Sequence, residues 1–346
     1  MLTGNASDPV YADEPRRFHT MKPRHVGRDF DGIDQPVGSP TCGTQRWAAS
    51  KRKQNGERIM KSKAARLVMV LALATAVAAP LFGQSHSNQR RNNGINYHNG
   101  QVMLGTSHVY FVFYGSFVGG TSEEALVNFI VGLVGSSYTN INTTYSDATG
   151  TRVTNTLMYG RLAYDSYSQG TNLSDEDVQA IVSDNITNGQ FPLDPAGIYI
   201  VIASDDVNAD GLCTDRCEFH DSFFYPAGVT VRYAFVGDPI RCPSKCASQF
   251  FDRCGNMILL PPNGDFSIDA RISWIAHVIN GAITNPNGDG WFDSRGRENS
   301  DKCVNKFGPL YRTSTGWANV TLNGRDYLIQ QNWVNADGGY CALAYP

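Results

Sequence analysis

Two short apolar runs set the limits on what this chain can fold into. Val109–Phe117 (VYFVFYGSF) and Gly197–Ala203 (GIYIVIA) are dense in β-branched and aromatic residues and end at turn-forming sequence, so each reads as a buried strand. Segments of helical spacing lie between them. Thr121-Ser122-Glu123-Glu124 offers a capping box ahead of Ala125, Leu126, Phe129, Ile130 and Leu133. Ser174-Asp175-Glu176-Asp177 opens a second helix with Val178, Ile181 and Val182 on one face. Thr156–Tyr164 and Tyr233–Val236 add two strands, and the stretch from Ala203 to Cys246 otherwise reads as thiol-clamped loop. Ile268, Ile272, Ile275, Ala276 and Ile279 predict a helix over Phe266–Ile283 packed on the sheet, broken at Asn285-Pro286-Asn287-Gly288. Asn323-Gly324 between Ala318–Leu322 and Arg325–Gln331 predicts a hairpin. This order predicts one α/β or α+β domain over residues 94–346: three layers, a central mixed β-sheet, helices packed on it and disulfide-clamped loops.

Upstream lies an export-type segment. Met60-Lys61-Ser62-Lys63 is a basic head and Leu67–Ala79 an apolar run too short to span a bilayer comfortably, with Ala76 and Ala78 as a small-residue cleavage signal. We read residues 60–83 as a signal peptide, 84–93 as a polar linker and Met60 as the start of the exported protein. Residues 1–59, without apolar periodicity, read as a disordered or mis-assigned upstream segment. Export predicts a secreted, extracellular protein (periplasm or cell wall included) with no transmembrane anchor after leader cleavage. A net charge of −3 with mixed signs excludes a basic nucleic-acid footprint.

Of eight cysteines, all but Cys42 fall beyond the leader. Cys213/Cys217 and Cys242/Cys246 form two C-x3-C pairs, open to a four-thiolate zinc reading, but an oxidising destination makes disulfides the expectation. With Cys254, Cys303 and Cys341 the exported count is odd, which leaves one cysteine unpaired or intermolecular.

Three motifs bear on chemistry. Asp206-x-Asn208-x-Asp210-Gly211 copies the opening of a calcium loop, but Cys217 stands where the bidentate Glu belongs. A polar turn is the plainer reading; no cofactor is expected, a weak structural calcium at this loop being the one exception. His277 lies in a helix-borne H-V-x-x-G that resembles H-E-x-x-E in outline, with Val278 at the base position and Gly281 at the second-ligand position. That pattern suggests a degenerate zincin-like core; Asp289 and Asp293 downstream are the other candidate metal ligands, and no catalytic residues are assigned. Trp291, Trp317 and Trp333, with Phe224, Tyr225 and Phe292, could stack on sugar rings, although burial is the commoner fate of such residues. No nucleophile elbow and no phosphate-binding loop occur.

Several segments, in order, resemble one family. They are Tyr97-His98-Asn99-Gly100, Tyr114-Gly115-Ser116-Phe117, Gly197–Ala203 running into Asp205-Asp206-Val207, Cys213-x3-Cys217, and Tyr233-Ala234-Phe235-Val236-Gly237. After these come Cys242-Pro243-Ser244-Lys245-Cys246, Pro262-Asn263-Gly264-Asp265, Thr284-Asn285-Pro286 with Gly288-Asp289-Gly290, and Asn323-Gly324-Arg325. Over residues 94–342 the chain resembles the EXORDIUM / phosphate-induced protein 1 (EXORDIUM-like) family, and its short leader suggests a bacterial member. The resemblance implies a secreted, cell-wall-associated protein, linked in plants to growth regulation, with no established enzymatic activity. It also implies disulfides among Cys213, Cys217, Cys242, Cys246, Cys303 and Cys341, with Cys254 extra. Expected partners are cell-wall polysaccharide or an extracellular protein. The rival readings are a secreted metal-dependent hydrolase at His277 and a carbohydrate-binding protein.

Overall fold

The computed structural model describes residues 94–117 and 121–346, all within one compact unit. The leader, the linker and the upstream segment lie outside the described residues. The principal elements are β1 (Ser107–Tyr114), α1 (Thr121–Leu133), β2 (Leu157–Asp165), α2 (Asp175–Thr187), β3 (Gly197–Ala203), β4 (Glu218–Tyr225), β5 (Val229–Val236) and α3 (Phe266–Thr284). Five strands form one sheet in the order β2-β1-β3-β5-β4. Neighbours are parallel except β4, which pairs antiparallel with β5 at the edge, so the predicted mixed sheet is present.

Alternation along each strand divides the interior into two cores. Val109, Phe111 and Phe113 of β1 and Ile198, Ile200 and Ile202 of β3 face α1 and α3. Tyr110, Val112, Tyr199, Val201, Val231 and Tyr233 face α2 through Val178, Ile181 and Val182. Both faces are thus covered, as central parallel strands require. Ser174 caps α2 as the sequence predicts: its hydroxyl accepts from the Asp177 N–H while the Asp177 carboxylate accepts from the Ser174 N–H (2.8 Å). The late hairpin also forms, Val320–Leu322 pairing with Arg325–Tyr327 across Asn323 and Gly324, both at positive φ.

Two elements depart from expectation. The first is β4, whose residues read as loop between thiols; it is a full edge strand. The second is α3, which is enclosed rather than amphipathic: every residue from Ile268 to Thr284 is buried, including Asp269, Arg271, His277 and Asn280. The sheet covers one side, while α1, the turn Thr139–Thr144 and the C-terminal segments around Tyr327, Ile329 and Val334 cover the other. The zincin-like core is therefore not what the chain builds. Such a core needs a second ligand on the helix one turn after His277, and Gly281 stands there with another side chain filling its space.

Three disulfides brace the loops: Cys213–Cys242, Cys217–Cys246 and Cys303–Cys341. The two C-x3-C pairs join to each other rather than gather around zinc. No described cysteine is a free thiol, so the thiol left over in the odd count is not found. Because the twin bridges each span 29 residues between the same two segments, either one alone keeps the loop closed. Loop-closure entropy then predicts a cost of about 2–3 kcal/mol for removing one bridge and about 6 kcal/mol for removing both. Urea melts of Cys213→Ser/Cys242→Ser, Cys217→Ser/Cys246→Ser and the quadruple variant under oxidising conditions measure this.

Candidate functional site

The polar face of the β4–β5 hairpin lies against the second half of α3. Phe219, Phe223 and Tyr225 of β4 point into the α2 core, so Glu218 and His220 point the other way, beside Ala234 and Val236 in register. A loop after α3 adds Glu298 and Asp301. The result is a buried cluster of two imidazoles and three carboxylates.

His277 is 5 % exposed. Its Nε2 stands 3.2 Å from Asp301 Oδ1 and 3.6 Å from Glu218 Oε1, and its Nδ1 2.8 Å from the Gln330 amide. His220 Nε2 is 2.7 Å from Glu298 Oε2, and the other oxygen of Glu298 accepts from the Asn285 side chain (2.6 Å). Burial alone would push His277 down, but Glu218 and then Asp301 outweigh it and its pKa is raised to about 9. His220 is raised likewise against burial, by Glu298. Burial raises the Glu218 carboxyl, whereas His277 overcomes burial at Asp301 and lowers it. Asp301, its side chain 40 % exposed, is the cluster's contact with solvent.

Both ring nitrogens of His277 are engaged by protein groups, which leaves neither free to ligate a metal or accept a proton from a substrate. Among the described residues no group of three His, Cys, Asp or Glu is placed to hold a metal ion. The structure also does not join His277 to the candidates paired with it. Asp289 lies at the loop near Gly100, whose N–H its backbone carbonyl accepts (2.9 Å). Asp293 is bound by Arg297 (2.8 Å) and Lys302 (3.2 Å); backbone and guanidinium donors hold its carboxyl below the usual range despite its burial.

Gly281 explains the missing ligand. A Cβ built there would stand 2.5 Å from His220 Nε2 and 2.6 Å from Glu298 Oε2. The second imidazole therefore arrives from the strand and needs a glycine opposite it.

The other sequence candidates are spread out. Asp206 accepts from Ser204 Oγ (2.5 Å) and Tyr167 OH (2.7 Å). Asn208 pairs with Asn172 in a short parallel ladder, and the Asp210 carbonyl accepts from Arg216 (2.8 Å). Trp291 donates to the Ser146 carbonyl (2.7 Å) and packs on Tyr97 and Tyr145. Trp333 lies under Lys302 and Trp317 under Arg312, each with the cation 4.9 Å from the ring. All three tryptophans are partly buried. Sequence reasoning missed Glu218, His220, Glu298 and Asp301. The signal available was the aromatic alternation at 219, 223 and 225, which sets Glu218 and His220 on the opposite face.

Fold and site define a class: a disulfide-braced, three-layer α/β protein whose buried histidines are neutralised by carboxylates. The model of the phosphate-induced protein 1 conserved region matches residues 95–341, and the chain belongs to that family. It is 30 % identical to Protein EXORDIUM-like 3 of Arabidopsis thaliana over 71 % of this chain and 82 % of that one. To Protein PHOSPHATE-INDUCED 1 of Nicotiana tabacum it is 25 % identical over 58 % of this chain and 68 % of the relative. These relatives are plant proteins, and nothing in them supports the bacterial origin read from the leader. No solved structure matches the chain.

Two predictions follow from the cluster's geometry. His277 sits above its ordinary 6.5 in the folded state, so its stabilisation is complete below about pH 6.5 and fades as pH rises through about 9. His277→Gln should cost about 3–5 kcal/mol near pH 6, where it leaves Glu218 and Asp301 without their cation, and converge on the parent by pH 9–10. Parallel curves in chemical denaturation across that range would refute the assignment. Gly281→Ala should destabilise by about 2–4 kcal/mol, although alanine favours the helix by about 1 kcal/mol, because it displaces the His220–Glu298 pair; thermal melts test this.

Proposed function

We propose that this chain is exported and oxidised, and acts outside the cell or at the cell wall as a binding or structural factor rather than a catalyst. The observation that carries the reading is the enclosure of His277, whose Nε2 faces Asp301 and Glu218 and whose Nδ1 faces the Gln330 side chain. An imidazole committed at both nitrogens to internal partners is poorly placed to serve as the base or the ligand of metal-dependent hydrolysis. The three disulfides support an oxidising destination. Among the described residues no helix is long and apolar enough to cross a membrane, which accords with release after leader cleavage.

The metal-dependent hydrolase is the rival reading, and the charge balance at His277 disfavours it. Recognition of polysaccharide remains part of the proposal, with Trp291, Trp317 and Trp333, each partly buried, as the stacking candidates. Expression with the leader intact, followed by N-terminal sequencing and metal analysis, tests the proposal. The expected product starts shortly after the Leu67–Ala79 run and carries no stoichiometric zinc. A mature end within residues 1–59, or zinc lost on His277→Gln, would overturn it.

A further inference from the structure

The α3-facing side of the β4–β5 hairpin carries a second charge, and this one is not balanced. Arg232 on β5 is 9 % exposed and lies in register with Ser222, one alternate position beyond Ala234 and His220. Its Nη1 donates to the carbonyls of Pro195 (2.6 Å) and Thr230 (3.2 Å), and its Nη2 to Gln101 Oε1 (2.8 Å). All three acceptors are neutral. The Nε–H is buried with no acceptor among the described residues. The other buried arginine of the core, Arg271, also has an unpartnered Nε but is paired with Asp238 at 2.8 Å, so the counter-ion is what Arg232 lacks. A guanidinium taken out of water without a counter-ion is costly, and burial accordingly lowers the pKa of Arg232.

Arg232 forms part of the lining of a cavity of about 490 Å3 between the loop 97–107 and the start of β3. That volume suits a single small-molecule ring. Tyr97, Val102, Leu104 and Pro195 give it apolar walls, and Asp147, a half-buried carboxylate, shares the lining. One oxygen of Asp147 is engaged by Thr149 and Thr151. A carboxylate on the wall repels a dianion yet accepts readily from hydroxyls.

The geometry points to this cavity as a binding site for a hydroxylated monocarboxylate of the sugar-acid class, its carboxylate pairing with Arg232 and its hydroxyls with Asp147. The Nη2 group spends one hydrogen on Gln101 Oε1 and has a second to offer such a carboxylate. Gln101, which already holds Nη2 and also accepts from Asn287 (3.0 Å), keeps the guanidinium oriented without neutralising it.

Gln101→Glu tests the inference, because this isosteric change supplies the absent counter-ion from within. Calorimetric titration of the full chain uses D-glucuronate as probe, with D-glucose and inorganic phosphate as controls. The expected result is saturable glucuronate binding with Kd about 1 mM or tighter, and weaker binding of both controls. In Gln101→Glu, glucuronate should bind at least about tenfold more weakly while the melting temperature holds or rises. Arg232→Lys, which keeps the charge but loses the forked donors, should also bind more weakly. No glucuronate binding, glucose or phosphate binding as tightly, or a Gln101→Glu variant of parental affinity each overturns it.

Discussion

Enclosing a helix on every side obliges each polar group it carries to find a fixed partner, and the architecture around α3 follows from that obligation. Arg271 reaches Asp238 and the Ala203 carbonyl (2.9 Å) at the ends of β5 and β3. Asp269 takes two donors from Asn263, and the Ser273 hydroxyl accepts the Gln330 N–H (3.0 Å). Asn280 accepts from Asn142 (2.8 Å), and its carbonyl accepts from Asn299 (3.0 Å). These partners come from the sheet edge, the short turn after α1 and the C-terminal segments. Apolar packing could tolerate α3 in several rotations; this set of partners fixes one.

The histidine cluster applies the same rule to charge. Two imidazoles raised by carboxylates and three carboxylates near them come close to neutrality, so the group survives away from water where any one member would not. Its components arrive from α3, β4 and one loop. Their convergence requires an absence as well, the lack of a side chain at Gly281.

The sheet and helices were largely legible in the sequence because burial on both faces leaves unbroken apolar runs. Gly197–Ala203 is recovered end to end, and the Ser174 cap and Asn323-Gly324 turn form as local chemistry dictates. What stayed hidden shares one cause. An edge strand with aromatics on one side and charges on the other dilutes its own hydrophobicity, so Glu218–Tyr225 passes for loop. The enclosure of α3 is likewise invisible locally: its polar residues sit where a solvent face belongs, and only segments distant along the chain (α1, the turn Thr139–Thr144 and the C-terminal segments) make that face interior. His277 stands out in the sequence, but its neighbours could not be found by spacing along one helix.

Cys217 immediately precedes Glu218, and its bond to Cys246 ties the start of β4 to a residue whose carbonyl accepts from the Trp274 indole of α3. Reduction would remove that tether, leaving the start of the edge strand, where the glutamate beside His277 sits, to the ladder with β5 and to its aromatic packing alone.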